Sequence, residues 1–278
     1  MSKDYHLCCP TDRPGYAGTM REFKGETITL SKPYVEEPMQ CYISPSQSGH
    51  WLVVIYDIFG LHPNKYELAD WLAAHKQISV AVPDVRRGKN WPIDQYPPPD
   101  EETKKKFYKY LESDANPSLR SIEVKATIDF LMREKGAETV SLLGLCWGAK
   151  VAALIDSYNG RVKCVIGAHP SFLKSEDGEK ATVPILMMPC KEDNLTVYLT
   201  GCLKNPNPSL FTISQDYIGT FHGFLGARGR WHLAEESPFV EQAKQDISQF
   251  VLSHVNAKGA RTEVAPTCCH QLELLQSA

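Results

Sequence analysis

Val140-Ser141-Leu142-Leu143-Gly144-Leu145-Cys146-Trp147-Gly148-Ala149 is the stretch that decides how this chain folds. An apolar run, Thr139 to Leu143, reads as a strand, and Trp147 to Tyr158 reads as a helix. Between them lies Gly-x-Cys-x-Gly. This is the spacing of a nucleophile held on a strained strand-to-helix turn, where side chains two residues to either side would collide, so that glycines flank it. The backbone N–H of Trp147 is then placed to donate to an oxyanion, and the helix N-terminus favours the thiolate of Cys146. A buried structural cysteine in a Gly-rich turn is the competing reading. A strand before and a helix after favour the nucleophile.

The same alternation runs outward from this point. Upstream, Glu26–Leu30 and Gln40–Ile43 read as short strands separated by Pro33 and Pro38. Trp51–Tyr56 is nearly all apolar, as expected for a parallel strand buried on both faces. A helix from Asn64 to about His75 carries Leu68, Ala69, Leu72 and Ala73 on one stripe. Ile78–Val82 is the next strand. Residues 89–117, with Trp91 and Pro97-Pro98-Pro99, read as a loop and a solvated helix partly covering a site. Ser118 is expected to cap a helix to Lys135. Downstream, Val162–Ala168, Val183–Met188 and Leu210–Tyr217 read as strands and Pro238 to about Val255 as a final helix. Strand and helix in alternation imply an α/β fold, a mostly parallel sheet built from right-handed crossovers. Residues 25–256 form one domain in this reading, with an N-terminal arm over 1–24 and a flexible tail over 257–278.

A nucleophilic cysteine needs a base, and in an elbow-type fold the chain order is nucleophile, acid, histidine. Asp193 follows the strand Val183–Met188, where a sheet's C-terminal edge presents ligands and catalytic groups. A helix N-cap is its alternative role, and Glu192 its neighbouring rival. His222, in Gly219-Thr-Phe-His-Gly-Phe224, lies in the loop after the last strand. His232 is the rival histidine, and His169 precedes the acid and so breaks the order.

Gly-Leu-Cys146-Trp-Gly, Tyr-Asp57-Ile-Phe-Gly60 and Phe-His222-Gly-Phe together resemble the dienelactone hydrolase (carboxymethylenebutenolidase) family, over roughly residues 25–255. The resemblance implies an α/β-hydrolase fold with helices on both faces of the sheet and no large lid. It implies a lactone- or ester-opening hydrolase with Cys146 as nucleophile, His222 as base and Asp193 as orienter, and with the N–H groups of Ile58 and Trp147 as the oxyanion donors. The family commonly has Glu where this chain has the shorter Asp57. Family arginines that hold a substrate carboxylate point to Arg86 or Arg87 and to Arg228, although Gly226, not an arginine, stands four residues after His222. Phe59, Trp91 and Phe224 would shape a more apolar pocket.

Bulk composition agrees with an ordinary globular protein: 42% hydrophobic, 23% charged, with a formal net charge of −3. That balance gives no electrostatic reason to expect nucleic acid or an anionic membrane as partner. The longest apolar runs are strand-sized, and the N-terminus lacks the apolar core of a signal peptide, so the expected location is the cytosol. With no secretion signal and an odd count of nine cysteines, a disulfide framework is not expected, and the absence of a Cys-x-x-Cys pair argues against a zinc site. Cys41 and Cys164 fall in strands and read as small buried hydrophobes. No cofactor is expected, the partner is a small lactone or ester, and the chain is a monomer or homodimer. Two other classes of function stay open at this stage: a non-catalytic scaffold of the same fold, and a redox-sensing thiol at Cys146.

Overall fold

Apolar strands that must bury both faces can do so only inside a sheet covered by helices, and this is the arrangement the chain adopts. The structure is a computed structural model describing residues 22–255. The N-terminal arm and C-terminal tail expected from the sequence fall almost wholly outside these residues, as do the adjacent cysteines Cys8-Cys9 and Cys268-Cys269.

The sheet has eight strands: β1 (Glu26–Leu30), β2 (Met39–Ser44), β3 (His50–Ile55), β4 (Ser79–Pro83), β5 (Thr139–Leu145), β6 (Val162–Ala168), β7 (Ile185–Met188) and β8 (Phe211–Ile213). Their spatial order is β1-β2-β4-β3-β5-β6-β7-β8. β1 pairs antiparallel with β2 and β2 with β4, and every later pairing is parallel. The two strands flanking the centre, β3 and β5, are buried along nearly their whole length. This is a mostly parallel α/β sheet, as the alternation of elements implied.

Among the described residues seven α-helices accompany the strands: α1 (Pro63–Lys76), α2 (Glu101–Glu112), α3 (Pro117–Glu134), α4 (Trp147–Ile155), α5 (Ser175–Glu179), α6 (Thr196–Lys204) and α7 (Ser237–Val255). α1 packs with α7, and α3 packs with α4, so helices cover the sheet in two separate layers. Among the described residues no insertion is large enough to form a separate lid domain.

Several boundaries differ from the sequence reading. α3 begins two residues earlier than Ser118 suggested, because Asn116 caps it: its side chain accepts the N–H groups of Ser118 and Leu119, with Pro117 at the first helical position. α4 stops at Ile155, and β8 is only three residues long. The helices α5 and α6 were not anticipated. They are short and pack on each other, so their formation owes more to that contact than to a periodic pattern. Cys41 and Cys164 are fully buried in β2 and β6, and burial pushes both thiols up to about 12, so each stays protonated and packs as a small apolar group.

Candidate active site

The elbow has the geometry that its glycines require. Cys146 adopts φ 53° and ψ −114° between the end of β5 and the first turn of α4. Such a backbone is strained for a non-glycine residue, by about 1–3 kcal/mol, and persists only where surrounding bonds hold it. Here three do. The Cys146 N–H donates to Ala168 O (3.1 Å), and Cys146 O accepts from the N–H groups of Ala149 and Ser171 (3.1 Å each). A Cβ on Gly144 would run into the backbone of Ala149, and one on Gly148 into the carbonyl of Ile55. The two glycines are therefore steric necessities of a helix that starts against the ends of two strands.

The chain brings Asp193 and His222 to the same edge of the sheet. Asp193, in the loop after β7, has one oxygen on the N–H of Cys190 (2.8 Å), which fixes its rotamer. Its other oxygen accepts from His222 Nδ1–H at 2.5 Å, and both side chains are buried. A donor at Nδ1 leaves Nε2 as the acceptor nitrogen of the neutral ring. That nitrogen lies 3.5 Å from Ser171 Oγ, which in turn lies 3.5 Å from Cys146 Sγ. Glu192 has a different task, accepting the backbone N–H of His222 (3.2 Å). His232 is exposed. His169 packs edge-on against the His222 ring with centroids 5.0 Å apart, and so walls the histidine rather than replacing it.

Asp57 is engaged on every side. Its two oxygens accept Lys65 Nζ (3.1 Å each), Oδ1 also accepts the N–H of Phe59 (3.1 Å), and Oδ2 the N–H of Ala227 (2.8 Å). Burial alone would raise its pKa, but the Lys65 charge and these hydrogen bonds outweigh burial and hold the carboxyl below its usual range. Asp57 thus ties the loop carrying Ile58 to the loop that follows His222. Both of its oxygens are filled by these internal donors. The Trp147 N–H belongs to the first turn of α4, which has no intrahelical acceptor, and Ile58 lies on the loop leaving β3 beside it.

Of the arginines expected to bind a carboxylate, Arg87 is held by internal partners and Arg86 largely so, although Arg86 Nη1 is buried without a hydrogen bond. Arg87 pairs with Glu123 (2.5 Å), contacts the Glu37 carboxylate and donates to Glu37 O, which directs it away from the elbow. Arg86 is buried with its guanidinium over the faces of Tyr56 and Trp147, 4.6 and 4.7 Å from their centroids, and donates to Asp57 O and Asn90 Oδ1. It braces the core of the site. Arg228 is buried beside Gly223. Phe224 is also buried, stacked on Tyr217 and edge-on to His169, so it supports the histidine loop from below. Phe59 and Trp91, by contrast, line a cleft of about 600 Å³ with His62, Asn90, Pro92, Ile93 and Ala227. Mainly through burial, His62 is pushed down to about 4, so this cleft carries no formal charge near neutral pH. Among the described residues no His, Cys, Asp and Glu side chains converge as a metal set.

Two members of this constellation, Lys65 and Ser171, escaped the sequence reading. Lys65 had a weak signal, since a cation in the first turn of a helix opposes the dipole and implies an acidic partner nearby. Ser171 follows β6 by three residues, and only the sheet order, which sets β6 beside β5, brings it to the elbow.

Residues 39–257 match the dienelactone hydrolase family. An uncharacterized AIM2 family protein of Schizosaccharomyces pombe is 28% identical over 256 residues, covering 88% of this chain and 98% of that protein. The carboxymethylenebutenolidase homolog of Mus musculus is 25% identical, covering 89% and 97%. Among solved structures, a dienelactone hydrolase-like promiscuous phosphotriesterase from metagenomic libraries superposes with a TM-score of 0.61 at 13% identity, covering 84% of this chain and 98% of that one. The dienelactone hydrolase of Anabaena variabilis gives 0.54 at 10% identity, covering 81% and 97%. At such identities these two establish the fold, an α/β-hydrolase, and the family match over most of the chain establishes the rest: this protein belongs to the dienelactone hydrolase family.

Proposed function

We propose that this chain is a thiol-dependent hydrolase of uncharged lactones or activated esters, with Cys146 as nucleophile, His222 as general base and Asp193 as the group that orients it. The observation that carries this reading is the 2.5 Å bond from His222 Nδ1–H to a fully buried carboxylate, with Nε2 turned toward the strained elbow. Attack of the Cys146 thiolate on the carbonyl carbon would form a tetrahedral oxyanion, held by the N–H groups of Trp147 and Ile58. Collapse expels the alcohol, which takes a proton from His222, and leaves a thioester. His222 then activates water to release the acid and restore the thiol.

The cleft supports a substrate class. An apolar, uncharged wall beside the Ile58 loop, with Arg87 paired to Glu123, supports a neutral acyl or alcohol portion over a carboxylate. The test is hydrolysis of p-nitrophenyl acetate and simple lactones, before and after iodoacetamide, by wild type and Cys146→Ala. Alkylation should abolish turnover, and the variant should lose at least about 10³-fold while melting as wild type does. A neutral lactone should also be hydrolysed at least as fast as its carboxylated analogue. A folded Cys146→Ala that keeps more than a few per cent of turnover would sink the nucleophile assignment. A folded wild type with no activity on any ester would favour a binding scaffold.

A further inference from the structure

The Ser171 hydroxyl is within reach of both the thiol and the histidine, and no step described so far uses it. Its Oγ is 3.5 Å from Cys146 Sγ and 3.5 Å from His222 Nε2, in a buried setting. The first distance is an ordinary reach for sulfur, and the second is the long, loose geometry common at sites without substrate. The hydroxyl is also held from behind: the Ser171 N–H donates to Cys146 O, the same carbonyl that Ala149 anchors. His169 and Phe172, which flank the Pro170-Ser171 step, both take positive φ (37° and 61°), so this short turn is bent to bring the serine over the elbow.

We propose that Ser171 is a proton-relay residue between Cys146 and His222, an inference that rests on the triad reading above. A hydroxyl has one proton to donate and two lone pairs to accept, which is what a bridge between an acid and a base requires. In the neutral pair the Cys146 S–H donates to Ser171 Oγ and the Ser171 O–H donates to His222 Nε2. Transfer breaks the S–H bond and the serine O–H bond together. It forms a new O–H bond from the cysteine's proton and an N–H bond at Nε2 from the serine's proton. The product is a thiolate, an unchanged serine and an imidazolium whose Nδ1–H still rests on Asp193. The hydrogen-bond directions have reversed: Nε2–H now donates to Ser171 Oγ, and Ser171 O–H donates to the thiolate. No net charge has left the site, and the serine hydroxyl stabilises the thiolate directly.

The charged and titratable groups facing Cys146 come from several elements, and Ser171→Ala alters none of them. They are His222 with its Asp193, Lys65 of α1 with its partner Asp57, Arg86 over the Trp147 ring, and His169 behind His222. A change in thiolate chemistry in that variant therefore reports the hydroxyl.

The experiment measures iodoacetamide labelling of Cys146 by intact mass as a function of pH, together with kcat and KM for p-nitrophenyl acetate. Wild type, Ser171→Ala and Ser171→Thr are compared. Removing the hydroxyl should move the alkylation midpoint upward by about one pH unit and lower kcat about 10- to 100-fold, with KM within about twofold. Ser171→Thr, which restores an O–H at the same Cβ, should recover most of both. If the alanine variant does not fold, Ser171→Gly supplies the same loss of hydroxyl. An unshifted alkylation profile with unchanged kcat in a folded hydroxyl-less variant overturns the relay. So does equal impairment in alanine and threonine variants, which would assign Ser171 a packing role. Failure of the triad reading looks different: wild-type turnover would resist iodoacetamide, or Cys146→Ala would stay active whatever residue stands at 171.

Discussion

Two carboxylates lie buried at the C-terminal edge of the same sheet, Asp57 after β3 and Asp193 after β7, and their partners set them apart. Asp57 faces the buried ammonium of Lys65 and two backbone N–H groups, with every contact internal. Asp193 faces one backbone N–H and one histidine, whose opposite nitrogen faces Ser171 beside the elbow cysteine. A carboxylate saturated by a fixed charge holds loops together. One that ends on a titratable ring passes its effect onward. Burial alone does not separate the two roles, because both side chains are almost completely excluded from solvent.

The largest effect that would sharpen this contrast is on turnover. Asp193→Asn should reduce kcat/KM by about 10²- to 10⁴-fold, since an amide can hold His222 in the wrong tautomer, and should leave stability little changed. His222→Ala should cause a loss at least as large, whereas His232→Ala, at an exposed position, should stay near wild type. Near-normal activity in a folded Asp193→Asn, or the reverse order for the two histidines, would break the comparison at its functional end.

The next effect is on stability. Asp57→Ala strands Lys65 in the core without its anion, and should destabilise the fold by about 3–5 kcal/mol in chemical denaturation. The pair replaced together, Asp57→Leu with Lys65→Met, should recover much of that loss, because the penalty lies in the unpaired charge. A single alanine variant as stable as wild type would show that Lys65 finds another partner. Activity should fall in the single variant too, as the Ile58 loop loses its tie to Ala227, but by less than for Asp193→Asn.

The smallest effect concerns pH. His62 caps α1 by accepting the Asn64 N–H at Nδ1 (3.3 Å), a bond that needs the neutral ring. Mainly through burial, the folded protein holds His62 down at about 4, against an unfolded value of about 6.5. Between those values the unfolded chain binds a proton that the native state refuses, so stability falls as pH drops from about 6.5 to about 4. His62→Asn keeps a capping oxygen and removes the titration. Its melting temperature should match wild type at pH 7.5 and exceed it at pH 5. Parallel melting curves across that range would show that His62 titrates normally.

Legibility in the sequence tracked how local the cause was. β3 and β5 were readable because strands buried on both faces show nearly unbroken apolar runs. α1 was readable from its stripe of Leu68, Ala69 and Leu72. α5 and α6 were not, because each is too short for a periodic signal and relies on its neighbour. The cap of α3 was misjudged by two residues, since Ser118 and Asn116 both suit the role and only the chain's approach to Pro117 decides between them. The arginines show the same limit. Arg86 and Arg87 are adjacent in sequence, yet one turns inward over Tyr56 and the other outward to Glu123, a divergence no motif encodes.

The sequence by itself determined that a strand, a tight turn and a helix follow one another at Cys146, because the clashes that demand Gly144 and Gly148 arise within a few residues and against any strand packed alongside. It also determined the α/β class, since strand and helix periodicities are properties of neighbouring residues. Only the tertiary structure decided what each buried charge meets. Asp57 reaches Ala227 across 170 positions of chain, and Ser171 reaches His222 across 51. Such contacts are set by the order of strands in the sheet, a long-range packing outcome that local patterns do not specify. For the same reason the serine and the lysine beside the elbow became visible only once β6 lay next to β5 and α1 had packed beneath the loop leaving β3.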